Sequence, residues 1–145
     1  MPQHLVLIGG GHSHVEVLRR LAVKPLPDTR LTLICQNAQT PYSGMLPGYV
    51  AGHYHYDQVH IDLRPLAKAA GADFYATAAI GIDRAAHTVQ TTHYPPLRYD
   101  QLSINIGSTP DLSDAAGAQE HAIPVKPIQQ FNQRWLNLLD RVQTA

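Results

Sequence analysis

The stretch His-Leu-Val-Leu-Ile-Gly-Gly-Gly-His-Ser-His (4–14) decides the fold of this chain. It begins as a short apolar run that ends at a glycine triplet, which is typical of a buried parallel strand that turns sharply into a helix. Apolar residues then recur at helical spacing until Pro25 and Pro27 end the pattern. A second apolar run, Leu-Thr-Leu-Ile-Cys (31–35), follows. We therefore expect a strand, a glycine-rich turn, a helix and a second strand, which together form one βαβ unit.

The glycine triplet resembles a dinucleotide-binding turn. In such a turn the first glycine permits the sharp bend, the second lets a pyrophosphate approach the backbone, and the helix N-terminus offers N–H groups and a partial positive charge. Gly9 and Gly11 occupy these two positions. The third glycine position, which normally allows close packing of helix on strand, holds His14. We expect His14 to point aside or the helix to sit slightly away from the sheet. A glycine-rich turn in an α/β protein without a ligand is the alternative.

Two further local patterns bear on this turn. Ser13 followed by Glu16 is a capping-box pattern, so the helix should begin near Ser13. Cys35 stands at the end of the second strand, where an acidic residue would hydrogen-bond an adenosine ribose. A thiol is a poor acceptor, so Gln36, Asn37 or water would have to contact the ribose, or binding would be weaker.

The rest of the chain continues the α/β pattern, which we interpret as a two-layer fold. The predicted elements are a long loop over 36–60 with one short helix near 46–52, a helix over 63–70, strands over 73–82, 87–92 and 99–106, a loop over 111–127 and a final amphipathic helix. The final helix carries apolar side chains at i, i+4, i+7, i+8 and i+11, namely Phe131, Trp135, Leu138, Leu139 and Val142. We interpret this stripe as core or as a surface between domains.

Composition narrows the class of protein. The 145 residues predict one domain, and the eleven basic and eleven acidic residues cancel, which gives no electrostatic reason to expect nucleic acid. The single cysteine excludes an internal disulfide and favours a reducing, cytoplasmic location. No apolar run approaches the ~20 residues that span a bilayer. The closely spaced histidines, His12 with His14 and His53 with His55 and His60, allow a zinc or copper site, but no cysteine or carboxylate cluster joins them, so we predict no metal.

Three longer segments carry a resemblance to a known family. Residues 6–21, Thr-Pro-Tyr-Ser-Gly-Met-Leu-Pro-Gly-Tyr-Val-Ala-Gly-His-Tyr (40–54) and His-Ile-Asp-Leu-Arg-Pro-Leu-Ala (60–67) resemble the FAD-dependent pyridine nucleotide-disulfide oxidoreductase superfamily. The nearest branch is that of NADH dehydrogenase-like proteins, and within it the flavoprotein module that is fused to selenide, water dikinase. Residues 102–110 resemble the second FAD motif of the family, and residues 121–128 resemble its crossover into the next domain.

The resemblance implies a Rossmann-like FAD-binding domain, with a parallel sheet, a βαβ unit and a small β-meander, and it implies FAD as the cofactor. The cofactor-binding residues that it implies are Gly9, Gly11, His12 and Ser13 at the pyrophosphate, Cys35 and Gln36 near the adenosine ribose, Ser43, Gly44, Met45 and Leu46 near the isoalloxazine, Ala79 at the adenine, and Gly107 and Ser108 closing over the cofactor. It implies no catalytic residue within this chain.

The chain departs from the family's sequence pattern in two respects, and these departures predict which parts of the family's structure it contains. One cysteine cannot form the redox disulfide of the disulfide reductases. The second glycine fingerprint, which binds NAD(P)H in the family, does not follow Val142. We therefore expect residues 1–110 to be the first segment of an FAD-binding domain, and residues 111–145 to be a crossover loop and helix leading to a missing NAD(P)H-binding domain.

These expectations leave three functions open. The first is an NAD(P)H-dependent oxidoreductase that passes hydride to FAD and then electrons to an unknown acceptor, with the chain alone inactive. The second is a non-catalytic FAD- or adenine-nucleotide-binding or regulatory module, and the third is a histidine-based metal-binding protein. The apolar stripe of the final helix further suggests a homodimer.

Overall fold

The computed structural model describes residues 2–144, which form two compact units. One unit comprises Met1–Thr40 and His60–Ile106, and the other comprises Pro41–Val59 and Gly107–Ala145. The strands are β1 (Gln3–Ile8), β2 (Thr29–Ile34), β3 (Gln39–Pro41), β4 (His60–Asp62), β5 (Ala72–Tyr75), β6 (Ala79–Asp83), β7 (Thr88–Thr91), β8 (Leu97–Arg98) and β9 (Gln101–Ile104). The helices are α1 (His12–Val23), α2 (Leu46–Val50), α3 (Tyr56–Val59), α4 (Leu63–Ala69), α5 (Ala118–His121) and α6 (Phe131–Gln143), with 3₁₀ turns at Ser43–Met45 and Ile128–Gln130.

A parallel sheet of order β5-β2-β1-β9 forms the centre of the first unit. β1 pairs with β2 over its whole length, from Gln3 opposite Thr29 to Ile8 opposite Ile34, and α1 connects the two strands. The predicted βαβ unit is therefore confirmed. A helical crossover of this kind is the usual connection between parallel strands.

The strands of this sheet are apolar on both faces, because each face is covered. Leu7 and Leu33 face α1 and α4, where they pack with Leu18 and Leu63. The alternate residues of β1 and β2, with Ile8 among them, face the other way and pack with the side chains of the antiparallel sheet β6-β7-β8. The first unit thus has three layers, so the prediction of two layers is wrong. The meander forms the third layer because its strand residues are too few and too polar on one side to stand alone.

The predicted strand over 73–82 is two strands. β5 belongs to the parallel sheet, whereas β6 belongs to the meander, and residues 76–78 form the break between them. The strand predicted over 99–106 is shorter, as β9 ends at Ile104, and the two-residue β8 was not predicted. A continuous apolar run does not reveal where a chain leaves one sheet for another, because both sheets bury one side of it.

The N-cap of helix α1 lies two residues before Ser13, the N-cap residue that the capping box predicts. Gly11 is the N-cap residue and makes no side-chain cap, so Ser13 lies inside the first turn. Glu16 instead accepts hydrogen bonds from Arg19 and Arg20 at 2.7 Å each. This exposed pairing lowers the pKa of Glu16 to about 2 through those hydrogen bonds. The turn geometry of the glycine triplet therefore decides the helix start.

The second unit is held together by α6. Phe131 is buried against Leu46 and Val59, and Trp135 packs on the edge of this cluster. Tyr49 adds a hydrogen bond from its hydroxyl to Asn132 Oδ1 at 2.6 Å. The interpretation of the apolar stripe as core is therefore confirmed for Phe131, whereas Leu136 and Val142 further along the helix are exposed.

The compact units divide the chain differently from the predicted ligand-binding segments. Residues 41–59 group with 107–145, although the sequence assigned them to the FAD-binding segment 1–110. No helix among residues 2–144 has the length and apolarity needed to cross a membrane.

Candidate functional site

The four parallel strands end in one row, which brings their following residues together. Ile8 lies opposite both Ile34 and Ile104, and Ile34 lies opposite Tyr75. In open α/β sheets, ligands bind at this carboxyl edge, where the chain leaves the strands. The residues that follow each strand therefore form the candidate site.

Backbone hydrogen bonds join these four exits. The N–H of Gly9 donates to the carbonyl of Ile34 at 2.8 Å, and the N–H of Asn105 donates to the carbonyl of Ile8 at 2.8 Å. The N–H of Cys35 donates to the carbonyl of Tyr75 at 3.1 Å. The edge is thus a fixed surface of backbone rather than a set of independent loops.

The N-terminus of α1 opens at this edge. The first hydrogen bond of the helix runs from the Val15 N–H to the Gly11 carbonyl at 3.1 Å, so the preceding amides have no acceptor within the helix. The first turn carries no acidic side chain. His12 and Ser13 are exposed there. This arrangement suits an anion, because the helix dipole places partial positive charge at the same point.

Close contact with Asn105 explains why glycines occupy this turn. Gly9 has φ +94°, and a Cβ there would lie 2.2 Å from the backbone oxygen of Asn105. A Cβ on Gly11 would lie 1.5 Å from Asn105 Oδ1. The Gly11 N–H also donates to the Asn105 carbonyl at 3.1 Å. Both glycines are therefore required by β9 within the protein, whatever ligand approaches them.

His14 fills the space where the fingerprint has its third glycine. Its side chain is buried, with Nδ1 2.8 Å from the Gly9 carbonyl oxygen and Nε2 2.9 Å from Ser103 Oγ. The imidazole thus points into the layer between helix and sheet. The expectation that it points aside is wrong, because two polar partners in that layer satisfy both ring nitrogens.

Cys35 turns back toward the glycine turn. Its thiol donates to the carbonyl of Asn37 at 3.1 Å, and Sγ would lie 3.1 Å from a Cβ on Gly10. Burial raises the pKa of this thiol, so it stays neutral. Gln36 and Asn37 are exposed beside it. Both amide side chains are thus accessible at the place where the ribose was predicted.

Two residues lie beyond the end of β5. Thr77 is buried, yet within residues 2–144 its hydroxyl finds no hydrogen-bond partner. A buried hydroxyl without a partner is costly, and a polar ligand is one way to satisfy it. Ala79 starts β6 and packs its methyl group against the cluster around Val89. Its backbone is therefore the part that a ligand could contact.

The predicted isoalloxazine residues belong to the second unit. Ser43 and Gly44 are exposed in the 3₁₀ turn, and Met45 is half-buried. Leu46 is buried in the cluster with Val59 and Phe131, so its side chain is used for packing.

The closing residues also lie in the second unit. Gly107 has φ +84° with open space around it. Ser108 Oγ accepts a hydrogen bond from Lys126 Nζ at 2.9 Å.

The predicted cofactor-binding residues thus fall mainly into two sets, one at the sheet edge of the first unit and the other in the second unit. The set brought together at the sheet edge is Gly9, Gly11, His12, Ser13, Cys35 and Gln36. Sequence reasoning missed Asn105 and Thr77 and gave His14 and Ser103 no role. One signal was available for β9: Ser103 and Asn105 alternate with apolar residues, which predicts a polar stripe on one face of the strand.

The histidines do not gather. Within the described chain, residues 2–144, no group of three or more potential metal ligands comes together. His14 is instead bound to protein groups.

Comparison with known proteins points to flavoprotein reductases. No protein-family model matches the chain. The chain is 32% identical over 123 residues to the sulfide-quinone reductase of Aquifex aeolicus, covering 83% of the chain and 27% of that protein. It is 28% identical over 139 residues to the NADH dehydrogenase-like protein YutJ of Bacillus subtilis, covering 92% of the chain and 37% of that protein. The chain thus spans roughly a third of the length of these relatives.

Solved structures share the fold. The sulfide:quinone oxidoreductase of Aquifex aeolicus superposes with a TM-score of 0.78 at 24% identity, over 95% of this chain and 32% of that one. A NAD-dependent persulfide reductase from A. fulgidus gives a TM-score of 0.78 at 22% identity, over 96% of this chain and 28% of that one. The Rossmann-like fold class is confirmed by these matches. The names of the two sequence relatives, a sulfide-quinone reductase and an NADH dehydrogenase-like protein, agree with the oxidoreductase superfamily that the sequence resembles.

Proposed function

We propose that this chain provides the FAD pyrophosphate site of an NAD(P)H-dependent flavoprotein oxidoreductase. The pyrophosphate would lie at the N-terminus of α1, against the Gly9–Ser13 backbone. The adenosine would lie toward Cys35 and Gln36, beyond the end of β2. Ala79 would face the adenine, Ser43, Gly44, Met45 and Leu46 would lie near the isoalloxazine, and Gly107 and Ser108 would close over the cofactor.

One observation carries the proposal. The N-terminus of a twelve-residue helix, without an acidic side chain in its first turn, opens at the carboxyl edge of a parallel sheet whose strands end in register. Such an edge combines helix amides that have no acceptor within the helix with partial positive charge, which is what a dianionic pyrophosphate needs. The orphaned hydroxyl of Thr77 near the end of β5 also suits a polar ligand. The names of the sequence relatives, both reductases or dehydrogenase-like proteins, favour FAD among nucleotide ligands.

When bound, FAD would accept a hydride from NAD(P)H and deliver electrons to an acceptor that we do not name. The residues of this chain would bind and orient it. Other parts of a longer protein would have to supply the NAD(P)H site.

Titration with FAD tests the proposal. The purified chain is titrated with FAD and, separately, with FMN, and flavin fluorescence is followed. We expect FAD to bind with weak affinity and FMN not to bind, because FMN lacks the pyrophosphate and adenosine that this edge would contact. Equal affinity for the two flavins, or no effect of FAD on the Gly9–Ser13 amides in an NMR spectrum, would contradict the assignment.

Turnover tests the enzymatic part. We expect NADH- or NADPH-dependent dye reduction from a protein extended by the downstream sequence, and none from the 145-residue chain. A non-catalytic FAD- or nucleotide-binding module is the alternative, and it predicts bound flavin without turnover in both proteins.

Several finer expectations stay predictions. They are a fusion to selenide, water dikinase, a cytoplasmic location, the assignment of 1–110 to FAD binding and 111–145 to a crossover, and a homodimer through α6.

The exposed side chains of Leu136 and Val142 are the surface that a homodimer through α6 would use. Sedimentation of the chain and of its Val142→Lys variant checks the last one.

A further inference from the structure

His14 is the one residue of the nucleotide-binding turn that is both buried and titratable. Only 2% of it is exposed, and it sits on the first turn of α1. Because a carbonyl only accepts, Nδ1 must carry a proton and donate it to the Gly9 carbonyl at 2.8 Å. In the neutral ring, Nε2 then accepts from the Ser103 hydroxyl at 2.9 Å.

The surroundings of His14 disfavour its charged form while the turn binds no anion. Burial lowers the pKa of the imidazole, and the hydrogen bond to Gly9 opposes this only in part. The helix N-terminus adds partial positive charge near the ring. The same surroundings contain no carboxylate in the first turn of the helix that could offset a second proton.

The hydrogen-bond partners nevertheless tolerate the charged form. Gly9 keeps accepting from Nδ1, and Ser103 Oγ switches from donor to acceptor when Nε2 gains a proton. Cys35, at the end of the neighbouring strand, is neutral because burial raises its pKa. His12 is the other titratable group of the first turn, and it is exposed. The only change required at His14 is rotation of one hydroxyl hydrogen.

We propose that His14 couples binding of a pyrophosphate-bearing nucleotide at this turn to the uptake of one proton. This inference rests on the proposed function, since it needs the anion to lie at the N-terminus of α1. The proton comes from solvent and adds to Nε2, and no other bond forms or breaks. The negative charge of the bound nucleotide attracts the protonated imidazole and so offsets the cost of burying a cation. Nucleotide binding therefore raises the pKa of His14, and protonation of His14 strengthens nucleotide binding.

The linkage has a definite sign. Between the pKa of His14 in the free chain and its higher pKa in the complex, affinity for the nucleotide rises as pH falls. Each unit of difference between the two pKa values strengthens binding by about tenfold across that window. The pyrophosphate diester itself keeps its charge throughout this range, so a change in the ligand does not produce the effect.

Histidine NMR tests the proposal on the unmodified chain. The Cε1–H resonances are titrated with pH in the absence of ligand, with saturating FAD, and with saturating ADP. We expect the pKa of His14 to rise with both ligands. Binding of FAD with no change in the His14 titration would overturn this inference and leave the proposed function intact. Absence of binding by either ligand would overturn both.

Variants separate His14 from its exposed neighbour. FAD affinity is measured at about pH 6 and about pH 8, on either side of the ordinary histidine pKa. We expect His12→Gln to keep the gain in affinity at the lower pH, which amounts to about tenfold for each unit by which binding raises the pKa of His14. We expect His14→Gln, whose amide can still donate to Gly9, to bind FAD with the same affinity at the two pH values, whatever that affinity is. A gain lost only in His12→Gln would assign the proton to the exposed ring instead.

Discussion

The Asn105 side chain lies at the position that a Cβ on Gly11 would take, with Oδ1 1.5 Å from it, while the Asn105 carbonyl accepts the Gly11 N–H at 3.1 Å. Asn105 directly follows strand β9 and is 94 residues away in sequence from Gly11, yet it sets the space around the glycine turn. The second glycine is therefore a packing requirement of the protein itself, independent of the nucleotide site that we propose at this turn.

Gly11→Ala should destabilise the chain mainly through Asn105. We expect a loss of roughly 1–3 kcal/mol, the usual cost of overpacking, and a smaller loss in the Asn105→Ala background, where Oδ1 and Cγ are gone. Urea unfolding of the two single variants and the double variant measures the coupling. Additive losses would show that the side chain of Asn105 moves away freely. Gly11→Val should weaken FAD binding as well, but part of that loss then reflects stability.

Gly9→Ala should cost clearly more than Gly107→Ala. Both glycines have positive φ, +94° and +84°, so an alanine is strained at either position. The strain alone costs about 1–2 kcal/mol, and nothing lies within 4 Å of a Cβ on Gly107. A Cβ on Gly9 additionally meets the backbone oxygen of Asn105 at 2.2 Å, which no side-chain rotation relieves. The midpoints of urea unfolding of the two variants test this difference in stability. Equal midpoints would contradict the close contact between Gly9 and the backbone of Asn105.

Stability should fall on acidification because of two buried or half-buried histidines. Burial lowers the pKa of both His4 and His14 below the ordinary value of 6.5. Just below pH 6.5 the unfolded chain therefore binds more protons than the folded chain does. The free energy of unfolding is highest above this pH, and it decreases as the pH falls from 6.5 to the pKa values of the two histidines in the folded state. Each such proton contributes a slope of about 1.4 kcal/mol per pH unit.

His14→Gln and His4→Gln should each flatten this slope, and His93→Gln, at an exposed position, should keep it. Urea unfolding at a series of pH values from about 7.5 to about 5 covers the range in which histidines titrate. A slope that is unchanged in both of the first two variants would mean that other groups cause the acid sensitivity.

Phe131→Ala should loosen the second unit. The ring is buried with Leu46 and Val59, so its removal should cost about 3–5 kcal/mol. Trp135 is the sole tryptophan of the chain and packs at the same cluster, so its fluorescence should shift to the red. The matched control is Leu136→Ala on the exposed face of α6, which should change stability by less than about 0.5 kcal/mol. Similar spectra for the two variants would contradict the packing of α6 described above.

The sequence by itself determined the elements whose patterns are local. Short apolar runs, glycines and prolines predicted β1, α1, β2, α4 and α6, because strand and helix periodicity and turn chemistry act within a few residues. The same local patterns predict a nucleotide-binding turn at Gly9–Ser13, which stays a prediction. These patterns could not show that residues 73–82 form two strands in different sheets, since each sheet buries one side of that run.

Tertiary structure alone decided what surrounds the turn. The parallel register places Asn105 on Gly11 and Ser103 on His14, and no spacing in the sequence measures a contact across 89 residues. It also decided that Phe131 is core rather than an exposed surface, because the partner residues come from a distant loop. Burial and hydrogen bonding depend on which distant segments contact each other, and the sequence does not show this. In the sequence His14 is only a departure from the glycine fingerprint, whereas in the fold it is a buried, titratable side chain with both ring nitrogens hydrogen-bonded.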